Sequence, residues 1–339
     1  MRPFTLRRGE RHGNLIGAIL CHDVRGAFRK GHILREDDIP MLIDAEWSEL
    51  HLLELGPDDI AQREAGQRLA QILSSDAVEI VPAGHRHVLR AKQNGLLKID
   101  EAALLRINSI PGIAVFTLRS DQVVAKGEVI AEAQITPLAI DRREIDRAAR
   151  ENAVIRLLPF VPRDVVVWAR DDRVPRALAG KLRWFGCEVR DVLDLPRDAA
   201  AIRESMERRS ETLLIVSGSN ALDPLDPVFM ALEQLGATMQ RIGMPVHPGT
   251  LLWIATWRSA TIVGLPSCGL GPQMTAFDLV VPKLLAEGRV SDDELAALGH
   301  GGILKSNAFS PANAGEKVAE GRMRGPSPAA FAPRNDTKS

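Results

Sequence analysis

Small hydroxylic residues and two carboxylates lie together in the run Ser217-Gly218-Ser219-Asn220-Ala221-Leu222-Asp223-Pro224-Leu225-Asp226-Pro227. It follows an apolar stretch, Thr212 to Val216. Serine and glycine at such a strand end leave backbone amides open to an anion, and a helix beginning at Asp226 adds further amides and a partial positive charge. That set suits a phosphate. Asp223 and Asp226 oppose a bare phosphate, but they suit Mg²⁺ or a polar ring. Asp226 also reads as the N-cap of its helix and nothing more, a role worth about 1 kcal/mol.

Two further loops are rich in proline and glycine. They are Met244-Pro245-Val246-His247-Pro248-Gly249 and Leu265-Pro266-Ser267-Cys268-Gly269-Leu270-Gly271-Pro272, and a strand-like apolar stretch separates them. Such loops hold fixed backbone shapes. Where they follow strands of an α/β sheet, they line the ligand crevice. His247 reads as a general base, an anion partner, or an exposed loop residue. Cys268 is a nucleophile only beside a positive group or a helix N-terminus, and otherwise a small buried side chain. His22-Asp23 and Lys30-Gly31-His32 read as surface or turn residues. The chain has no zinc signature, P-loop, Gly-x-Gly-x-x-Gly fingerprint or Gly-x-Ser-x-Gly elbow, so dehydrogenase and kinase readings have no support, and an unrelated α/β nucleotide-binding enzyme has little.

The elements that must hold these loops alternate. Asp164 to Ala169, Cys187 to Val192 and Thr212 to Val216 read as strands, the last apolar throughout, as at the centre of a parallel sheet. Helices are predicted from Pro175 to Phe185, from Ala199 to Arg208, and from Asp226, with Pro227 at its first position and Gly236 past its end. Strands follow at Thr238 to Ile242, Leu251 to Thr256 and Ala260 to Val263, then helices at Gln273 to Leu285 and Ser291 to Leu298. This alternation predicts an α/β domain over residues 161–304, a sheet covered on both faces. Residues 1–75 read as a smaller α+β module, with strands near Leu15 to Leu20 and Glu49 to Leu55 and a helix starting near Pro57-Asp58-Asp59. Residues 76–160 read as a β-rich module with a helix near Asp100 to Ile107 and a charged linker from Asp141 to Arg150. Lys126-Gly127-Glu128-Val129-Ile130 echoes Lys30-Gly31-His32-Ile33-Leu34, which reads as shared turn chemistry. Residues 305–339, rich in Pro, Ala, Gly, Ser and charge, are predicted to be disordered.

Composition narrows the partners. The 339 residues carry a net charge of −1, 45% apolar and 26% charged residues, as in a soluble globular protein of about two or three domains. Neither the charge nor the aromatic content, 4% with no tyrosine, suggests nucleic acid. No apolar run reaches the roughly 20 residues of a membrane helix. The basic start, Met1 to Gly13, has no apolar core after it, unlike a secretory signal. Three scattered cysteines, Cys21, Cys187 and Cys268, predict a reducing cytoplasm and no metal cluster.

Residues 160–290 resemble the molybdopterin-binding domain shared by molybdopterin adenylyltransferases and molybdopterin molybdotransferases. The resemblance is carried by Val216-Ser217-Gly218-Ser219 with Asp223 and Asp226, by Met244 to Gly249, and by Gly264-Leu265-Pro266-Ser267-Cys268. In the molybdotransferase pattern the first loop is Gly-Gly-x-Ser followed by Asp, the second a Pro-Gly loop, the third Leu-Pro-Gly-Asn-Pro. Here Ser217-Gly218-Ser219 replaces the Gly-Gly pair and Ser267-Cys268-Gly269 replaces Gly-Asn-Pro. The run Gly243 to Leu252 and the Pro-x-Cys loop look more like a divergent branch found alongside molybdenum hydroxylases. Cys21-His22-Asp23, Lys30-Gly31 and Asp38-Ile39 are similar to that branch's N-terminal part. The resemblance implies a three-layer α/β/α sandwich that binds molybdopterin or its nucleotide form. It puts the phosphate on Ser217, Gly218, Ser219 and Asn220. Asp223 and Asp226 take the catalytic and metal roles, holding Mg²⁺ or pterin nitrogens. Pro245, His247, Pro248, Gly249, Leu265, Pro266, Ser267 and Cys268 wall the pterin. The implied activity is molybdate insertion into adenylylated molybdopterin, or non-catalytic carriage of the cofactor to a molybdenum hydroxylase. Family members often form homodimers.

Overall fold

Val165, Val166, Val167 and Trp168 have no exposure to solvent, and neither do Leu213, Leu214, Ile215 and Val216. Strands apolar on both faces must be covered on both faces, and these two form the middle of the largest sheet. The structure, a computed structural model, describes residues 1–10, 13–169, 176–219 and 222–305. Asn220, the side chain of Cys268 and the tail beyond Lys305 lie outside the described residues. Backbone packing divides the chain into two units, Met1–Phe160 with Ala286–Gly288, and Val161–Leu285 with the residues from Arg289 onward.

The first unit opens with β1 (Arg2–Arg7), β2 (Ile19–Leu20), α1 (Ile39–Asp44) and β3 (Glu49–Glu54), the strands ordered β1-β3-β2 and antiparallel. Leu6, Leu20, Leu50 and Leu52 pack together there. Next come β4 (Asp59–Ala61), α2 (Gln62–Leu73), β5 (Val78–Ala83), β6 (Arg86–Ala91), β7 (Gly95–Ile99), α3 (Glu101–Asn108) and β8 (Ile113–Thr117). β9 (Val123–Val124), β10 (Val129–Ile135), β11 (Ala139–Asp141), α4 (Arg142–Ala148) and β12 (Ile155–Pro159) complete the unit. An antiparallel sheet β5-β6-β10-β8 shares its apolar core with Ala65, Leu69 and Leu73 of α2.

Two expectations are corrected in this unit. The acidic pair at Asp58-Asp59 does not start a helix. Ile60, only 2% exposed, pairs with Ile140 in a short ladder, and the helix begins one turn later at Gln62. The stretch from Asp141 is no linker but α4, capped by the Asp141 carboxylate on the Arg143 amide. Arg143, Asp146 and Arg147 are exposed while Ile145 and Ala148, three residues apart, are buried.

The second unit is built from β13 (Asp164–Ala169), α5 (Arg176–Trp184), β14 (Glu188–Asp194), α6 (Ala199–Glu207), β15 (Leu213–Ser217) and α7 (Pro227–Gln234). β16 (Thr238–Ile242), β17 (Trp253–Trp257), β18 (Ala260–Leu265), α8 (Ala276–Glu287) and α9 (Asp292–Ala297) follow. The chain is thus a mixed α/β protein. The six strands run in the order β14-β13-β15-β18-β17-β16. The first four are parallel, and the last two pair antiparallel. No helix separates β17 from β18, so these two form a hairpin at Arg258-Ser259 instead of a crossover. Among the described residues no helix is long and apolar enough to cross a membrane.

His87 on β6 is 2% exposed and its Nδ1 has no partner among the described residues. It fits because position 66 has no side chain: a Cβ there would lie 2.8 Å from Nδ1. Burial first, and the nearby Arg63 charge second, hold His87 below the ordinary histidine range. The folded protein therefore takes up this proton less readily than the unfolded chain, which does so near pH 6.5. Its contribution is whole above about pH 6.5 and declines below it, by up to about 1.4 kcal/mol per pH unit until the folded pKa is reached. Melting temperatures measured from about pH 7.5 to about pH 5.5 should fall, and fall less steeply in His87→Gln; an unchanged slope in that variant would remove His87 from the pH response.

Candidate functional site

The parallel strands β13, β14, β15 and β18 end on one edge of the sheet, and the loop between β16 and β17 leaves from that same edge. All three loops singled out by sequence therefore share it. The strand order also reverses there: β14 lies on one side of β13 and β15 on the other. A crevice outside the carboxyl ends of strands at such a switch point is where open α/β sheets bind ligands.

A cavity of about 710 Å³ occupies this position. Asp194 ends β14 and Arg197 follows it, Gly218 and Ser219 follow β15, and Asp226 and Val228 lie at the start of α7; all six line it. Its size is within the usual range for small-molecule sites. Ser217 is the buried last residue of β15. Gly218 turns the chain with φ +79°, where any side chain would be strained, and its amide donates to the Leu265 carbonyl at 2.7 Å. Ser219 is 3% exposed, and its hydroxyl oxygen accepts the Trp253 indole N–H at 3.1 Å. The hydroxyl proton is not used in that bond.

The α7 terminus differs from expectation. Pro227 has no N–H, the Val228 amide donates to the Asp226 carboxylate at 2.9 Å, and those of Phe229 and Met230 donate to the Asp226 carbonyl at 2.9 and 3.2 Å. Asp226 caps its own helix so completely that α7 offers an anion no free amide. Arg197 is instead the cationic group among the described residues of the crevice lining. Asp223 lies elsewhere. Its carboxylate accepts the Leu225 amide at 2.9 Å, and it borders a separate groove of about 340 Å³ with Leu222, Phe229, Met239 and Ile242. The two aspartates line different cavities, and no group of three or more His, Cys, Asp or Glu side chains suited to a metal exists among the described residues.

The other two loops are tied down differently. His247 is exposed, with its amide donating to Gly302 at 2.7 Å and its carbonyl accepting from Leu304 at 2.9 Å. The His247–Pro248 bond is cis. The Pro248 carbonyl accepts the Ala276 amide at 3.0 Å, and Gly249, at φ +112°, approaches Ala276 so closely that a Cβ would lie 2.7 Å from its backbone nitrogen. Leu265 and Pro266 are buried, Ser267 is exposed, and Ser267–Leu270 form a short 3₁₀ turn. None of Pro245, His247, Pro248, Gly249, Leu265, Pro266 or Ser267 lines the 710 Å³ crevice.

In the first unit the polar residues noted by sequence hold turns. Asp23 accepts the Lys30 amide at 2.7 Å, His32 meets Asp38 at 2.7 Å, and His22 accepts the His51 amide at 3.1 Å.

Residues 14–54, which contain these turns, match a family described as a domain of unknown function (DUF8806). No curated protein matches the chain. Among solved structures, the chain is similar to the molybdopterin biosynthesis MoeA protein of Pyrococcus horikosii at 15% identity, with a TM-score of 0.29, over 67% of this chain and 79% of that one. It is also similar to a molybdenum cofactor biosynthesis protein of Pyrococcus furiosus at 15% identity, with a TM-score of 0.25, over 67% of this chain and 70% of that one.

Trp253 reaches Ser219 only because Gly264 lacks a side chain; a Cβ there would lie 1.9 Å from the indole Cε2. Gly264→Ala should therefore displace the ring and destabilise the protein by about 1–3 kcal/mol, the range for overpacked cores. Chemical denaturation measures the loss, and a stability equal to wild type would show that the ring is not confined as described.

Proposed function

We propose that this chain binds molybdopterin or its nucleotide form and serves in assembling or delivering the molybdenum cofactor. The observation that carries the reading is the crevice at the carboxyl ends of β14 and β15, where Arg197, the cation among the described lining residues, lies with the Gly218-Ser219 turn and with Asp194. Molybdopterin has an anionic phosphate at one end and a pterin ring rich in N–H donors at the other. Arg197 can hold the first in a forked, charge-assisted pair. The carboxylate of Asp194 can accept from the second. The order of the three loops along the chain, and a sheet packed with helices, agree with the molybdopterin-binding domain that the sequence resembles. The Pro-Gly loops at 244–249 and 265–268 stand over the neighbouring strands of the same edge, where a ligand longer than the crevice would continue.

Between the two activities, delivery to a molybdenum hydroxylase is favoured over molybdate insertion. Insertion by the molybdotransferase route calls for Mg²⁺, for which Asp223 and Asp226 are the candidates in this chain. These two carboxylates border different cavities and do not converge on one ion.

Anaerobic calorimetry with purified molybdopterin should give binding, weakened about tenfold to a hundredfold in Arg197→Ala, the loss of one charge-assisted hydrogen bond. Heat identical to buffer with the wild type, or an unaltered Kd in the variant, would overturn the reading of the crevice. Mg²⁺-dependent molybdate insertion abolished by Asp223→Ala would instead establish the enzyme.

A further inference from the structure

Lys181 on α5 has no solvent exposure, and neither does its partner Asp278 on α8 beyond 2%. The ammonium donates to the Asp278 carboxylate at 2.7 Å and to the Gln273 carbonyl at 2.7 Å. The same carboxylate oxygen accepts the Thr275 amide at 2.8 Å and its hydroxyl at 3.3 Å. The other oxygen, Oδ1, has no partner among the described residues. Burial pushes this carboxyl above the ordinary aspartate range, against the pull of Lys181 and Thr275.

Taking two charges out of water is unfavourable, and well-packed apolar residues would fill the same space without that penalty. Stability alone does not account for the pair. What it supplies is direction. One end grips a carbonyl and the other an amide of the segment joining the third loop to α8, and two apolar side chains can grip neither. The next residue, Ala276, donates to the Pro248 carbonyl and leaves no room for a side chain at Gly249. Six residues, Gln273 to Asp278, thus carry the end of the third loop and the turn of the second.

We propose that Lys181 is a positioning residue that sets the conformation of both Pro-Gly loops through Gln273, Thr275 and Asp278. The proposal deepens the molybdopterin reading, because these loops rise from the edge of the sheet that holds the crevice. Its core does not require a ligand.

Hydrogen exchange on the full chain tests it. In the wild type, the Thr275 and Ala276 amides should exchange as slowly as those of β15. In Lys181→Met/Asp278→Leu, where no charge is left unpaired, segments 246–250 and 271–276 should exchange at least about tenfold faster while β13 and β15 keep their protection. Wild-type amides at 275 and 276 that exchange like an open loop would overturn the proposal without any variant, as would unchanged exchange in the double variant. Molybdopterin should also bind the double variant about tenfold more weakly at a melting temperature close to wild type. Wild-type binding that is absent removes the functional reading and leaves the positioning role to the exchange data; unchanged affinity alongside faster exchange removes the loops from recognition.

Discussion

The indole of Trp253 occupies the space that a side chain at position 264 would need, and much of the second unit is arranged around it. The ring is fully buried over Gly264, so its one polar atom must find a partner, and Ser219 is that partner. The same ring meets Phe229 of α7 at a centroid distance of 5.3 Å. One side chain on an inner strand thereby fixes the turn after β15 and the helix that follows it. The Gly218 amide, bonded to Leu265, closes the same turn onto β18 from the other side. The crevice wall is consequently a product of core packing more than of its own loop sequence.

The elements of the second unit were largely legible because local signals and burial agree there. The apolar run from Thr212 to Val216, the Pro227 and Gly236 that bracket α7, and the helix read from Ser291 to Leu298 each match an element, the last opened in the structure by a capping box of Ser291 with Glu294. In the first unit Asp100 likewise caps α3. The repeated Lys-Gly pair is also what it looked like: Gly31 and Gly127 turn at φ +82° and +83°, each donating its amide back to a neighbouring residue, Leu20 or Ala91, at 2.7 Å. Failure came where one residue type serves two purposes. Asp58-Asp59 suits a helix start and equally a turn into a strand, and only the distant Ile140 decides.

Residues that matter through a partner far along the chain gave little local sign. A lysine on an apolar helix face ordinarily runs its stem along the surface with its charge in water. Lys181 does not, because its partner 97 residues away is buried too. Gly264 inside a strand announces a close approach but not what approaches. Asp194 and Arg197 leave no periodic trace, since polar residues after a strand end look like any turn. Pro196 between them was the one available hint that the turn is rigid.

The self-capping of α7 has a bearing on what the crevice rejects. A helix start with free amides would attract sulfate, inorganic phosphate or any nucleotide alike, because it recognises negative charge and little else. Here that general attraction is cancelled within the protein by Asp226, and Asp194 adds a second negative charge beside the cavity. Among the described lining residues a small anion would meet Arg197 beside the carboxylates of Asp194 and Asp226, a poor exchange for its hydration. On the proposed reading, a molecule that brings hydrogen-bond donors together with its negative charge would gain from both Arg197 and Asp194. On the same reading, the aspartate that looks least suited to an anion site would be what makes the site selective.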